Sequence, residues 1–128
     1  MIERLQELLK NSYAPYSNFH VAALVELKDG QVFSGVNVEN ASYGATICAE
    51  RVAICSAVAA GYRKGDFRRL YVMVDRPKSS TCCFICRQMI SEFFDADAQI
   101  VLMNQQGEQQ VYSVGQFCPF PFSEGDLV

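Results

Sequence analysis

The sequence has no tryptophan, only four prolines and a single histidine, His20. With one histidine, neither a histidine-based catalytic triad nor a metal site built on several histidines is expected. The chain also lacks an apolar run of the roughly 18–20 residues that would cross a bilayer. Charged residues interrupt its N-terminus, unlike that of a signal peptide: Glu3, Arg4, Glu7 and Lys10. We therefore expect a cytoplasmic location and no membrane partner.

An excess of basic charge is missing as well. Eleven lysines and arginines stand against 14 acidic residues, for a net charge of −3. Proteins that bind duplex nucleic acid usually carry a clear basic excess. We interpret the one basic cluster as a mostly solvated surface at a helix-to-strand junction: Arg63, Lys64, Arg68, Arg69, Arg76 and Lys78. A nucleic-acid polymer is therefore disfavoured as a partner, and a small, weakly charged substrate is favoured.

The length and a hydrophobic content of 50% fit one domain, residues 1–128, with one core. Apolar residues at helical spacing predict an amphipathic helix over 2–12. Alternating apolar residues from Phe19 to Leu27, a turn at Asp29-Gly30 and a returning strand over 31–38 predict a β-hairpin. The remaining pattern predicts helices over 47–60 and 84–94 and strands over 70–74, 100–103 and 110–114. This order predicts an α/β fold in which helices cover one mixed sheet of about five strands.

Cysteine is abundant by contrast, with six in the chain. Disulfides are rare in a reducing compartment, so metal binding or catalysis better explains the clustered cysteines. Cys83 and Cys86 form a Cys-x-x-Cys pair at the start of one predicted helix, and Cys48 opens another. Helix N-termini stabilise thiolates. Three such thiolates would hold Zn²⁺ and leave its fourth position open to water, as in catalytic zinc sites.

Acidic and basic residues flank these cysteines. Glu50 lies within one turn of Cys48, so its carboxylate can lie beside the water that zinc activates. Arg51 and Arg87 each adjoin a ligand and could offset the negative charge of the sulfurs by hydrogen bonding to them. Cys-x-Glu, a separation of 35 residues, and then Cys-x-x-Cys match the zinc deaminase signature, in which a glutamate that is not a ligand acts as general acid and base.

Four blocks of sequence carry a wider resemblance: residues 13–19, 37–43, 48–51 and 83–88. In the order and spacing of these blocks, the chain resembles the small homotetrameric cytidine deaminases over nearly its whole length. The resemblance implies a three-layer α/β/α cytidine deaminase-like fold with a mixed five-stranded sheet. It also implies one zinc ion per chain, held by Cys48, Cys83 and Cys86. The implied reaction is zinc-dependent hydrolysis of cytidine and deoxycytidine to uridine, deoxyuridine and ammonia, as in pyrimidine salvage.

The same resemblance implies roles for further residues. Glu50 would pass a proton from the zinc-activated water to the pyrimidine ring and then to the departing amine, and Arg51 would hydrogen-bond the thiolates. The implied substrate-binding residues are Phe19, which packs against the nucleoside, Asn37 and Glu39, which bind a sugar hydroxyl, and Ala41 and Phe122. Phe122 would reach the base pocket of a neighbouring subunit, which implies a homotetramer with shared active sites.

Three positions depart from the pattern of that family. Cys82 replaces the usual proline before the second zinc cysteine, Phe84 replaces a common glycine, and Ala22 replaces a glycine in the first strand. Proline fixes φ and has no N–H, so Cys82 loosens the loop and adds a donor. We expect the bulky Phe84 ring to lie beside the metal and to change the shape of the pocket.

Several alternatives stay open at this point. The substrate could be another cytosine-bearing small molecule, such as a nucleoside antibiotic. A non-catalytic zinc fold is a second alternative, with Cys82 as a fourth ligand, and a redox Cys-x-x-Cys pair is a third. Cys82 could also replace Cys83 as a zinc ligand. Asn37 and Glu39 could merely cap a turn, and Phe122 could be a core or tail residue.

Overall fold

The computed structural model describes residues 1–128 and contains four α-helices and five β-strands. The helices are α1 (Ile2–Leu9), α2 (Ala49–Ala59), α3 (Phe84–Phe93) and α4 (Val114–Phe117). The strands are β1 (Val21–Leu27), β2 (Val32–Val36), β3 (Phe67–Val74), β4 (Phe94–Met103) and β5 (Gln109–Ser113). Tyr43–Ala45 and Glu124–Leu127 form single 3-10 turns. None of the helices combines the length and the apolar character that crossing a membrane requires.

All five strands belong to one sheet with the order β2-β1-β3-β4-β5. β3 and β4 pair in parallel, and every other neighbouring pair is antiparallel. The parallel pair arises because α3 crosses over between β3 and β4, whereas short turns connect β1 to β2 and β4 to β5. The predicted mixed five-stranded sheet is therefore confirmed.

The two faces of the sheet are covered by different helices. Along β1, Ala22 and Leu24 pack with Leu5 of α1, whereas Ala23 and Val25 join the larger cluster that includes α2 and α3. Successive residues of a strand point to opposite faces, so both faces of this central strand are buried. The arrangement is the expected three-layer α/β/α fold.

The strand after α3 begins six residues earlier than the predicted start at residue 100. β4 starts at Phe94, directly after α3 ends at Phe93, and the ring of Phe94 packs 5.1 Å from that of Phe67. Residues 95–97 are exposed and lack the apolar pattern of a buried strand, which is why the sequence did not predict them. The short helix α4 was also not predicted, although Ser113 and Gln116 form a capping box at its start.

Contact between α2 and β2 places the start of α2 close to the sheet. A Cβ atom added to Gly35 would lie 2.4 Å from the carbonyl oxygen of Ala49 and 2.4 Å from the amide nitrogen of Ala53. Only a residue without a side chain permits this approach. Gly35 therefore sets the depth at which the first turn of α2 lies in the fold.

Candidate metal centre and adjoining cavity

Three cysteine sulfurs converge where α2 and α3 begin. Cys48 is the N-cap of α2, Cys83 is the N-cap of α3, and Cys86 lies in the first turn of α3. The three Sγ atoms lie within 4.8 Å of one another, and those of Cys48 and Cys83 are 3.7 Å apart. Tetrahedral zinc with Zn–S bonds of about 2.3 Å places its sulfur ligands about 3.8 Å apart. The donor set and its spacing therefore fit one tetrahedral zinc ion.

The electrostatics of the cluster also favour a cation. Hydrogen bonding from the Cys86 thiol, reinforced by Arg51, lowers the pKa of Cys48 to about 5. The same contact with Cys48, together with burial, raises the pKa of Cys86. Only a cation among the three sulfurs would let all of them ionise together, because thiolates this close repel one another.

Two further donors point at the sulfurs. The Nη2 atom of Arg51 lies 3.7 Å from Cys48 Sγ, and the backbone N–H of Cys86 donates to Cys83 Sγ over 3.4 Å. The sequence predicted the first contact from the position of Arg51. The second contact belongs to the helix N-terminus itself, whose free N–H groups stabilise negative charge.

Glu50 is the second residue of α2, and its side chain is buried, with 5% of the residue exposed. Burial raises the pKa of its carboxyl group above the usual value, and the charge on Cys48 adds to this shift. A carboxyl group with a raised pKa both accepts and returns a proton more readily near neutral pH. Glu50 has the environment expected of a general acid and base.

Glu50, Cys48 and Cys83 lie on the wall of one cavity of about 190 Å³. Glu50 is the only acidic residue among those that line it. The remaining wall combines apolar side chains with a few polar ones: Phe19, Val21, Ala49, Val72 and Val74, and Asn37, Thr46, Ser80 and Thr81. A small apolar cavity with few polar groups is typical of a ligand pocket.

A second, outer depression of about 410 Å³ shares Thr46 with this cavity. Glu39 is one of its lining residues, together with Tyr16, Ser17, Asn40 and Tyr43. Ala41 is exposed and lines neither space. The structure therefore brings Glu39, but not Ala41, to the surface beside the inner cavity.

The side chain of Asn37 is buried and largely occupied within the protein. Its Oδ1 accepts hydrogen bonds from Val21 N at 3.0 Å and from the Ser12 hydroxyl, and its Nδ2 donates to Phe19 O over 2.8 Å. A primary amide has two N–H groups, so one remains for a ligand. Asn37 fixes the segment that carries Phe19, and its contact with substrate stays a prediction.

The carboxylate of Glu39, like the side chain of Asn37, is occupied by hydrogen bonds within the protein. It accepts from the backbone N–H groups of Tyr16 and Ser17 at 3.0 and 3.1 Å and from the Ser17 hydroxyl. The Ser17 hydroxyl is the main cause of a lowered pKa at Glu39, which keeps this carboxylate ionised at neutral pH. Glu39 thus anchors the loop that forms one side of the outer depression.

Phe19 lines the inner cavity, and Arg76 covers its ring. The Arg76 guanidinium lies 4.9 Å from the ring centroid. It also donates to Asn18 O over 2.9 Å and to Asp75 Oδ1 over 2.6 Å. The sequence placed Arg76 in a mostly solvated basic cluster, and the side chain is 38% exposed although it also makes these contacts. No local signal reveals the contact, because Arg76 and Asn18 are 58 positions apart.

The structure corrects two expectations about the start of α3. The Phe84 ring does not line the inner cavity: Phe84 is 78% exposed, and its ring stacks on Arg87 at 4.4 Å. Phe84 is the first residue of α3 and has a negative φ, so glycine is not required there. Arg87 does not bond to sulfur either, because its Nε donates to Cys82 O over 2.8 Å and its Nη1 to Phe117 O over 3.3 Å.

Cys82 and Phe122 lie apart from the three sulfurs. The Cys82 thiol is buried but is not part of the group of three sulfurs. Its pKa is raised by burial and by the nearby Glu50 carboxylate. Phe122 is 58% exposed and lines a surface cleft with Phe84 and Arg87, not the inner cavity of its own chain.

Comparison with known proteins gives concordant results. Residues 1–103 match the family model described as the cytidine and deoxycytidylate deaminase zinc-binding region. A cytidine deaminase of Halalkalibacterium halodurans is 38% identical over 99% of this chain and 95% of its own length. The crystal structure of cytidine deaminase from Burkholderia pseudomallei superposes with a TM-score of 0.89 at 45% identity, covering 94% of this chain and 95% of that chain.

A more distant relative acts on a different compound. Blasticidin-S deaminase of Bacillus cereus is 30% identical over 81% of this chain and 77% of its own length. Its similarity is lower than that of the H. halodurans protein in both identity and coverage. The family match and the relatives confirm the resemblance that the sequence blocks indicated: the chain belongs to the cytidine and deoxycytidylate deaminase zinc-binding family.

Proposed function

We propose that this protein hydrolyses cytidine and deoxycytidine to uridine and deoxyuridine with release of ammonia. One observation carries the proposal: a buried carboxyl group, Glu50, lines a small cavity together with Cys48 and Cys83, two members of a cluster of three thiols. The similarity to cytidine deaminases over nearly the full length of the chain supports the same reaction.

Cys48, Cys83 and Cys86 would hold one zinc ion per chain. When bound by three protein ligands, zinc lowers the pKa of water at its open position. Arg51 stabilises the ionised form of Cys48 and so helps to balance the charge of the site. These side chains would hold the ion beside the cavity that Cys48, Cys83 and Glu50 line.

Glu50 would carry the protons of the reaction. Its carboxylate takes a proton from the water that attacks C4 of the pyrimidine ring and delivers this proton to N3. Glu50 then takes the remaining proton of the former water, now the hydroxyl group on C4, and transfers it to the departing amine as the C4–N4 bond breaks. The water oxygen stays on C4 as the carbonyl of uridine, and the amino group leaves as ammonia. Burial supports this role, because it raises the pKa of Glu50.

The remaining wall would hold and orient the nucleoside. The apolar side chains of Phe19, Val21 and Val72 suit the faces of a pyrimidine ring. The outer depression would take the sugar, whose hydroxyl would bond to Glu39 and to the free N–H of Asn37. Thr46, which lines both spaces, would lie where the base joins the sugar.

An ultraviolet assay tests the proposal directly. Purified protein with one zinc per chain should convert cytidine to uridine, with loss of the cytosine absorbance and release of one ammonia per uridine. A chelator that removes the zinc should abolish turnover, and added zinc should restore it. Zinc-loaded protein that leaves both cytidine and deoxycytidine unchanged would contradict the proposal.

The similarity to blasticidin-S deaminase favours a second candidate substrate class, the cytosine-bearing nucleoside antibiotics. The same ammonia assay with a panel of cytosine compounds separates the two. Activity on an antibiotic with none on cytidine would replace the first substrate class with the second. A non-catalytic zinc fold is less well supported, because Cys82, its candidate fourth ligand, lies outside the group of three sulfurs. A structural zinc site also does not require a carboxyl group such as Glu50 beside it.

We also propose that four chains associate and share their active sites. Phe122 supports this assembly, since it does not line the cavity of its own chain but an exposed cleft that another copy could reach. Large apolar side chains exposed on the monomer, including Tyr13, Tyr43 and Phe120, would be covered. Light scattering after size-exclusion chromatography should give the mass of four chains, and a monomer would contradict the assembly.

A reducing compartment suits this chemistry. The chain has no disulfide, and the Sγ atoms of Cys48 and Cys83 are close enough to oxidise if the metal is absent. We therefore propose that the protein acts in the cytoplasm and contributes to pyrimidine salvage. Cell fractionation would test the location, and growth on cytidine as the pyrimidine source would test the salvage role.

A further inference from the structure

Arg87 contacts two aromatic rings at the start of α3. Its guanidinium carbon lies 4.4 Å from the centroid of the Phe84 ring and 4.7 Å from that of the Phe117 ring. Arginine is suited to such a position, because its planar cation stacks on aromatic faces while its N–H groups bond in the plane. A lysine side chain would provide the positive charge but has no planar group to stack on the rings.

The edge of the same guanidinium joins two parts of the chain. Its Nε donates to the carbonyl of Cys82, the residue directly before the predicted ligand Cys83. Its Nη1 donates to the carbonyl of Phe117, which begins the C-terminal segment (residues 117–122). One side chain therefore contacts the backbone of the ligand loop (residues 79–83) and that of the C-terminal segment.

Two neighbouring hydrogen bonds strengthen this junction. The thiol of Cys118 donates to the backbone carbonyl of Arg87 over 3.2 Å. The Nε2 atom of Gln88 donates to the carbonyl of Phe122 over 2.8 Å. The first two turns of α3 thus hold the C-terminal segment at both of its ends.

We propose that Arg87, which stacks on Phe84 and Phe117, is a positioning residue that couples the ligand loop to the C-terminal segment. Loss of the stack loosens both, so that the metal leaves faster and the segment becomes easier to cleave. The inference about metal release rests on the proposed function, whereas the inference about cleavage of the C-terminal segment does not.

Phe84 is the best site for a test, because it is exposed and its substitution leaves the core intact. Phe84→Ala removes one stacked ring, and Phe84→Tyr keeps it. Ile85→Ala is the matched control: Ile85 is the next residue of α3 and is also exposed, at 65%, but has no part in the stack. All variants and the wild-type protein are compared in their zinc-loaded form.

Two rates are measured, and neither requires turnover. The first is the transfer of zinc to a chromogenic chelator, and the second is cleavage of the C-terminal segment by chymotrypsin. Phe84→Ala should raise both rates by roughly two- to fivefold, the effect expected from losing one partly exposed cation–π contact. Phe84→Tyr and Ile85→Ala should keep both wild-type rates. The tyrosine variant shows that the ring itself restores the coupling.

Two outcomes would contradict the proposed coupling. A Phe84→Ala variant in which only one rate rises, or in which neither rate differs from that of Ile85→Ala, would overturn the coupling. A change in the charge-transfer bands of the cobalt-substituted Phe84→Ala protein, with the wild-type spectrum kept in Phe84→Tyr, would support it. Wild-type protein that binds zinc but does not deaminate cytidine would contradict only the proposed function, since both rates can still be measured.

Discussion

The starts of α2 and α3 are built from the same parts but lie in different surroundings. Each helix has a cysteine at its N-cap, and each has an arginine within its first turns. The first turn of α2 is buried against the sheet, with Glu50 only 5% exposed. The first turn of α3 faces outward, with Phe84 78% exposed and Ile85 65% exposed. The surface against which each helix packs, not its sequence motif, creates this difference.

The two arginines show the consequence. Arg51 extends to the sulfur of Cys48, whereas Arg87 turns away to two carbonyl groups and two rings. At α2 the apolar surroundings leave the thiolate as the accessible partner, and they also raise the pKa of Glu50. At α3 the open surroundings offer other partners. We infer that α2 provides the reacting environment and that α3 provides ligands and a link to the C-terminal segment.

Glu50→Gln is the sharpest test of that division and should have the largest effect. The amide keeps the shape of the carboxyl group but cannot transfer a proton, so kcat should fall by about 10²–10⁴-fold. Zinc content and thermal stability should stay close to those of the wild-type protein. Glu92→Gln, an exposed glutamate of α3, is the control and should keep full activity. A Glu50→Gln variant that keeps most of the wild-type activity would show that Glu50, and with it α2, takes no part in the proton transfers.

Gly35→Ala tests whether the sheet sets the position of α2. The added Cβ would meet backbone atoms of α2 at 2.4 Å, which no side-chain rotation can relieve. We expect a loss of about 1–3 kcal/mol in the free energy of unfolding, or more if α2 cannot shift, together with reduced activity. Gly44→Ala is the matched control, because its Cβ would have no neighbour within 4 Å. Equal denaturation midpoints for the two variants would show that α2 does not depend on this contact.

The contrast between the two helices also shows which features of the structure could be predicted from the sequence. Its spacing predicted both helix starts, the three thiols and Glu50, because N-caps and neighbouring residues are local features. The mixed sheet and its layers followed from the order of the elements. The orientation of Phe84 was predicted wrongly, and the contacts of Arg87 and Arg76 were not predicted, since each depends on residues distant in the chain, such as Phe117 and Asn18. The roles assigned to the site residues, those of Ala41 and Phe122 included, stay predictions.

Arg51→Ala tests whether the guanidinium at α2 supports the metal. Removing a partner that hydrogen-bonds a ligand typically lowers metal affinity about 10–100-fold, and we expect a loss in this range. Competition with a chelator of known affinity measures it. Arg68→Ala, which removes an exposed arginine of β3, is the charge control and should have no effect. If both variants bind zinc as tightly as the wild-type protein, the contact between Arg51 and Cys48 adds nothing to metal binding.

The metal-free protein offers the most local test, a pH titration of the thiols. The pKa of Cys48 falls from 9.0 to about 5, because the Cys86 thiol donates to its sulfur and Arg51 adds its charge, whereas that of Cys86 is raised. A lowered pKa means that the thiolate of Cys48 stabilises the fold above pH 9.0, and that this contribution is lost as the pH falls through about 5. Thiolate absorbance should therefore rise near pH 5, and this step should disappear in Cys48→Ser. In Cys86→Ala the step should move upward, because the side chain that donates a hydrogen bond to the Cys48 sulfur is gone. If the pKa of Cys48 instead lies near its ordinary value, Cys86 of α3 does not promote the ionisation of Cys48 at the start of α2. The two helix starts would then act independently.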